Sequence, residues 1–205
     1  GPTIIASDGG ATPGKGSHGW VLASAQGQVL VKGHGVVPGK DPRSYRSEAY
    51  AMNIPLRLML LLREYFGPDH NFTHDLKVVC DNQGLVKKLY KLSSYRTAII
   101  QAITHPEWDV VSRTHNTIQE LNQLLLDPVK LEWVKSHQDE QLEPHQQKLE
   151  VKLNIEADKE ATKGLAMDPI VMVPLDPDAK AQFDLHGKTI TRSIRAEIHT
   201  AVGAP

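Results

Sequence analysis

Four acidic residues stand where a chain could use them together. Asp8 closes the apolar run "TIIASD" and is followed at once by Gly9 and Gly10. Asp81 closes a second such run, "LKVVCD". Glu48, in "SYRSEAYA", and Asp158, in "LNIEADKEAT", each read as lying in the first turn of a helix. Carboxylates gathered at the ends of buried elements repel one another unless cations sit between them. Hard divalent cations with oxygen ligands suit such a set. Glycines at 9 and 10 would then leave room for a phosphate to reach the metal. Taken singly, each acid has a plainer reading, since a strand-end aspartate is commonly a turn residue and a first-turn acid complements the helix dipole. The order in which all four arrive is what points to a metal centre.

Those acids need elements to hold them. Residues 3–8 read as a strand with Ile4, Ala6 and Asp8 on one face and Ile5 and Ser7 on the other. "HGWVLAS" and "QVLVKGHG" read as two further strands of an antiparallel meander. After the Pro/Gly connection "VPGKDPR", Ser44 is placed to cap a helix reaching about Phe66, with Met52, Leu56, Met59 and Leu60 at helical spacing and Pro55 positioned to kink it. A fourth strand at "LKVVCD", helices over 83–92 and about 108–125, and a fifth strand at "VKLEWV" follow. Asn154 reads as the cap of a last helix beginning at Ile155. The order βββ-α-β-α-α-β-α predicts a layered α/β domain. Trp20 and Trp133 lie in strands and are expected in the core.

From Ala166 the composition changes. "MDPIVMVPLDPD" reads as an extended linker, "AQFDLHGKTIT" as a small hairpin about Gly187, and 192–202 as a short helix. Arg192, Arg195 and His199 fall on one face of that helix, with Ile194, Ile198 and Ala201 on another. The expected division is a domain over 1–165 and an extension over 166–205.

The whole chain bounds the function. With 205 residues, 40% apolar and 23% charged, it is long enough for a sizeable core. No apolar run approaches the roughly 20 residues of a bilayer span, so no membrane partner is expected. No targeting signal is visible, and an intracellular setting, nuclear or cytoplasmic, is expected. Gly1-Pro2, in place of a Met, reads as the remainder of a cleaved tag, so a longer native polypeptide is expected. Cys80 is the single cysteine, which excludes an internal disulfide and a cysteine zinc cluster. The net charge of −1 gives no overall attraction to nucleic acid, so binding would have to come from local patches.

The order "SDGG", "RSEAYA", "VVCDNQG", "WVKSHQ", "NIEADKEA" resembles the ribonuclease H family over residues 3 to about 165. It is nearest in character to the ribonuclease H domains of eukaryotic retroelement polyproteins. The resemblance implies a five-stranded mixed sheet of order 3-2-1-4-5 flanked by helices. It also implies endonucleolytic cleavage of the RNA strand of an RNA–DNA hybrid, with two Mg²⁺ ions as cofactors and Mn²⁺ able to substitute. On that basis Asp8 would touch both metals, Asp158 would join it on the ion that activates water, and Glu48 and Asp81 would hold the other. His137 matches the family's mobile histidine, which moves a proton or helps release product; an imidazole titrates in the range that task needs. The reverse transcriptase domain of the same polyprotein is an implied partner.

Two departures stand out. Twenty residues separate His137 from Asp158, more than in compact cellular enzymes of the family, and Ser44 and Tyr45 occupy positions where the family often has asparagines that hold RNA. For the hybrid, the amides of Gly9 and Gly10 and the side chains of Asn82 and Gln83 are candidates for the RNA sugars. "LVKKLYKLSSYR" offers Lys87, Lys88, Tyr90 and Lys91, with Tyr95 and Arg96, as a basic and aromatic patch for the DNA strand; a solvated lysine face on an amphipathic helix is the plainer reading. Two other classes remain open at this level: a catalytically silent module of the same fold that binds nucleic acid or connects domains, and a DNA-directed nuclease or integrase.

Overall fold

The computed structural model describes residues 2–67, 75–92, 106–136, 143, 145–170, 184–185 and 187–201. Five strands form one mixed sheet of order β3-β2-β1-β4-β5. They are β1 (Thr3–Thr12), β2 (Lys15–Ser24), β3 (Val29–Val37), β4 (Leu76–Cys80) and β5 (Lys130–Trp133). β1–β2 and β2–β3 pair antiparallel; β1–β4 and β4–β5 pair parallel. Helices α1 (Ser44–Phe66), α2 (Gln83–Leu92) and α3 (Trp108–Leu124) cover one face, and α4 (Leu149–Leu165) covers the other. Because β1 is central and covered on both sides, its apolar stretch is buried on both. Ile5 faces α1 and α3, while Ile4 and Ala6 face α4.

The larger core joins Ile5, Leu22 and Val78 to Met52, Leu56 and Met59 of α1 and to Val111 and Leu121 of α3. Fully burying a side chain of this kind stabilises the fold by roughly 1.5–3 kcal/mol. α1 runs without interruption through Pro55, which is itself buried against this core. On the other face Gly19 lets α4 lie directly on the sheet, since a side-chain carbon there would overlap the backbone of Ala157 and Ala161. Edge strand β3 is tied to α4 by charge. The buried carboxylate of Glu160 receives Lys32, His34 and Lys163 at 3.0, 2.8 and 2.7 Å. Lys163 is the largest cause holding Glu160 down to about 2, against the opposing effect of burial.

Several boundaries differ from the sequence reading. β1 does not end at Asp8 but continues through the glycines to Thr12, because Gly9 and Gly10 pair with His18 and Ser17. Arg43, not Ser44, occupies the N-cap of α1, without a side-chain cap bond. Glu48 therefore sits beyond the first turn, on a buried face. Asn154 caps nothing: α4 starts at Leu149, five residues earlier, so Asn154 is interior and Asp158 lies deep in the helix. The start was hidden because Lys148 at the N-cap makes no side-chain bond to signal it. Trp20 is buried, but Trp133 is 43% exposed, because β5 is an edge strand and Trp133 is its last residue.

Beyond α4 the described residues include a two-stranded hairpin, β6 (Asp184–Leu185) and β7 (Lys188–Thr189), and helix α5 (Ile194–Ala201). Among the described residues no helix is long and apolar enough to cross a membrane.

Candidate active site

The parallel pairing of β1 with β4 sets the site. Ser7 opposite Cys80 is the last pair in that ladder, so the next residues, Asp8 and Asp81, leave neighbouring strands side by side. α1 brings Glu48 from one face and α4 brings Asp158 from the other. All four line a single cavity of about 550 Å³, together with Gly9, Ala11, Ser44, Asn82, Ser136, Asn154 and Ile155.

The carboxyls are close enough to perturb one another. Burial is the largest cause pushing Asp8 up to about 8; the Asp81 charge comes next, then a hydrogen bond and charge from Asp158. Glu48, only 4% exposed, is pushed well above the carboxylate range by burial first, then by the charges of Asp8 and Asp81 and a hydrogen bond with Asp81. A hydrogen bond between two carboxyl groups requires a proton on one of them. Burial and the neighbouring carboxylates thus oppose full ionisation of Asp8 and Glu48, a cost that a bound cation would relieve. The donor set consists of hard oxygens in a polar cavity, which fits Mg²⁺ or Mn²⁺.

The surrounding residues hold the acids in place. The nearby Gly9 amide acts to lower both Asp8 and Glu48, against the larger effects that raise them. A side-chain carbon at Gly9 would overlap the backbone of Ser47 and Glu48, so this glycine is what lets α1 approach the strand. The buried Cys80 thiol donates to Glu48 at 3.7 Å, and burial followed by the Glu48 charge pushes it well above its ordinary range, keeping it protonated as a donor. Ligand atoms of Glu48, Cys80 and Asp81 all lie within 4.8 Å of one another. Trp133 donates its indole N–H to the Asp81 carbonyl at 2.8 Å. Asn154 donates to the Ser7 carbonyl at 3.4 Å, next to Asp8.

Residues expected to contact nucleic acid fall less evenly. Asn82 lines the cavity, but its Oδ1 accepts the Leu85 amide at 3.0 Å and so caps α2. Gln83 is the first residue of α2 and is exposed. Gly9 lines the cavity with its amide turned to the carboxylates; Gly10 is packed toward Ser17 and Leu165 on the α4 side. Lys87, Tyr90 and Lys91 are exposed on α2 and Lys88 is half-buried. Tyr90 donates its hydroxyl to the Leu131 carbonyl at 2.8 Å, which anchors α2 to β5. His137, Tyr95 and Arg96 lie outside the described residues. Ser136, Asn154 and Trp133 had no role at the site in the sequence reading. Asn154 read as a cap and Trp133 as core, and only the register of β5 beside β4 reveals the latter.

Neither a family model nor a curated protein sequence matches the chain. Solved structures do. Ribonuclease H1 from the halophilic archaeon Halobacterium salinarum is 20% identical with a TM-score of 0.52, covering 81% of this chain and 98% of its own. The chain has the ribonuclease H fold. LC11 ribonuclease H1, solved in complex with an RNA/DNA hybrid, is 16% identical with a TM-score of 0.52 over 80% of this chain and 96% of its own. Prototype foamy virus protease-reverse transcriptase is 14% identical with a TM-score of 0.56, and the match spans 81% of this chain but 21% of the viral protein. The sheet order 3-2-1-4-5 with flanking helices agrees with this ribonuclease H architecture.

Proposed function

We propose that this chain hydrolyses the RNA strand of RNA–DNA hybrids with two Mg²⁺ ions, Mn²⁺ being able to substitute. The observation that carries this reading is the convergence of Asp8, Glu48, Asp81 and Asp158 on one cavity of a ribonuclease H fold. Asp8 would hold both ions, Asp158 one of them, and Glu48 with Asp81 the other. When bound, a pair of divalent ions lowers the pKa of an attacking water and stabilises charge on the entering and leaving oxygens.

The chain's own contribution is positioning. Asp8 stands on a central strand that cannot shift without breaking two ladders. The Cys80 thiol aims Glu48, and Trp133 fixes the backbone of Asp81. His137 carries a proton to or from the reacting oxygens, the role that the resemblance implies. Gly9, Asn82 and Gln83 would meet the RNA strand, and Lys87, Lys88, Tyr90 and Lys91 of α2 the DNA strand, while Gly10, packed toward Ser17 and Leu165, is left out. The proposed setting is a retroelement polyprotein with a reverse transcriptase domain as partner, a reading supported by the likeness to the foamy virus protein; an intracellular location belongs to the proposal alone.

Incubation with labelled RNA–DNA hybrid, double-stranded RNA and duplex DNA, with Mg²⁺ or EDTA, tests it. Cleavage of the RNA strand of the hybrid alone, abolished by EDTA, is expected. Cleavage of duplex DNA, or hybrid binding without cleavage, would contradict the reading.

A further inference from the structure

The C-terminal extension does not hang free. Thr189, Ile190 and Thr191 of the hairpin and the turn after it are buried, as is Ile194 at the start of α5. The Thr189 carbonyl accepts the Lys40 amide at 3.1 Å, and the Thr191 carbonyl accepts the Glu107 amide at 2.7 Å. Arg192 pairs with Asp41, and Glu197 of α5 pairs with Lys40 at 2.9 Å. These contacts seize two points of the body: the junction between β3 and α1, and the N-cap of α3.

Both points lead to Glu48. Arg46, two residues before it on α1, is wholly buried. Its guanidinium donates to Glu107 at 2.9 Å, to both oxygens of Asp109 at 2.8 Å, and to the Pro38 carbonyl at 2.7 Å. Asp41 meanwhile accepts the Gly14 amide at 3.0 Å, joining the β1–β2 turn to the same junction. Among the described residues, three non-glycine residues have positive φ, namely Asp41, Glu107 and Ser193. All three sit at this contact. Such conformations persist only where the surroundings hold them, and here body and extension hold each other.

We propose that residues 187–201 are an intramolecular clasp that fixes the β3–α1 junction and, through Arg46, the Glu48 end of α1, and that they are not a nucleic-acid-binding arm. Arg192, one of the three residues of the expected basic face, is engaged with Asp41. The docking stands on the contacts alone; its bearing on the site rests on the hydrolase reading above.

The test uses the full chain and the variants Arg192→Glu, Lys40→Glu, Glu197→Lys and the Lys40→Glu/Glu197→Lys double. Hydrogen exchange is followed at the amides of Lys40, Glu107 and Ser47, and Mn²⁺ affinity by titration. Each single variant is expected to lose about threefold protection at Lys40 and Glu107, the scale of a partly exposed ion pair. Ser47 protection and Mn²⁺ affinity should fall with it, and the double variant should recover all three. Wild-type protection in every single variant would overturn the clasp. So would a smaller salt dependence of hybrid binding in Arg192→Glu with unchanged exchange, which is the signature of a lost phosphate contact. Opened clasp amides with unchanged Ser47 would overturn the link to Glu48. A wild-type protein that cleaves no hybrid would contradict the hydrolase reading and leave the exchange result to decide the clasp.

Discussion

The indole N–H of Trp133 donates to the main-chain carbonyl of Asp81 at 2.8 Å, across the gap between the edge strand and its neighbour. Asp81 follows the last residue of β4, where ladder bonds no longer hold it. The half-exposed ring thus steadies a carboxylate of the site. Trp133→Phe keeps the ring and removes this bond. A neutral hydrogen bond contributes about 1 kcal/mol, so Mn²⁺ affinity should weaken about fivefold with the circular dichroism spectrum unchanged. Wild-type affinity would show that the bond is incidental.

The acid cluster predicts an unusual pH dependence of stability without metal. Asp8 is raised from 3.8 to about 8, chiefly by burial and then by Asp81. The folded chain therefore keeps a proton that the unfolded chain releases above about pH 4. The stability this contributes is complete below pH 3.8, declines as pH rises, and is gone above about 8. Glu48 shifts in the same direction and adds to the effect. In EDTA the thermal midpoint should fall between pH 5 and pH 8, and Mg²⁺ should restore more of it at pH 8 than at pH 5. A midpoint that rises over that interval in EDTA would mean the acids are not protonated together.

His137 lies outside the described residues, and its role comes from the resemblance. His137→Ala should slow steady-state cleavage about 100-fold, the lower end for a general acid–base group, with hybrid affinity unchanged. An unaltered rate would remove His137 from the reaction.

Much of this was legible in the sequence because the responsible signals are local. The apolar runs before Asp8 and Asp81 and the helical spacing of Met52, Leu56 and Met59 each sit within a few residues, so the sheet and α1 follow from them. The order of the four acids was visible there too, but Glu48 and Asp158 read as first-turn residues and lie further along their helices. What was hidden depends on neighbours remote in sequence. Gly9 read as space for a phosphate, yet its lack of a side chain serves the packing of α1 nearly forty residues on. Trp133 read as core because a strand tryptophan commonly is; its exposure depends on β5 being the edge. Asn154 has the chemistry of a cap, and only the burial of Val151 and Leu153 before it shows the helix already under way. Arg192 read as a member of a basic helix face, but it precedes α5 and meets Asp41, a partner that no helical periodicity reveals.

The most direct measurement is Asp8→Asn, assayed for cleavage of a labelled RNA–DNA hybrid in Mg²⁺ and for thermal stability in EDTA near pH 8. The amide keeps the shape of the carboxylate but can neither hold two cations nor repel Asp81 and Asp158. Cleavage should be lost, while the metal-free midpoint should equal or exceed that of the wild type. Near-wild-type cleavage by a folded Asp8→Asn protein would contradict the assignment of the metal site to these carboxylates.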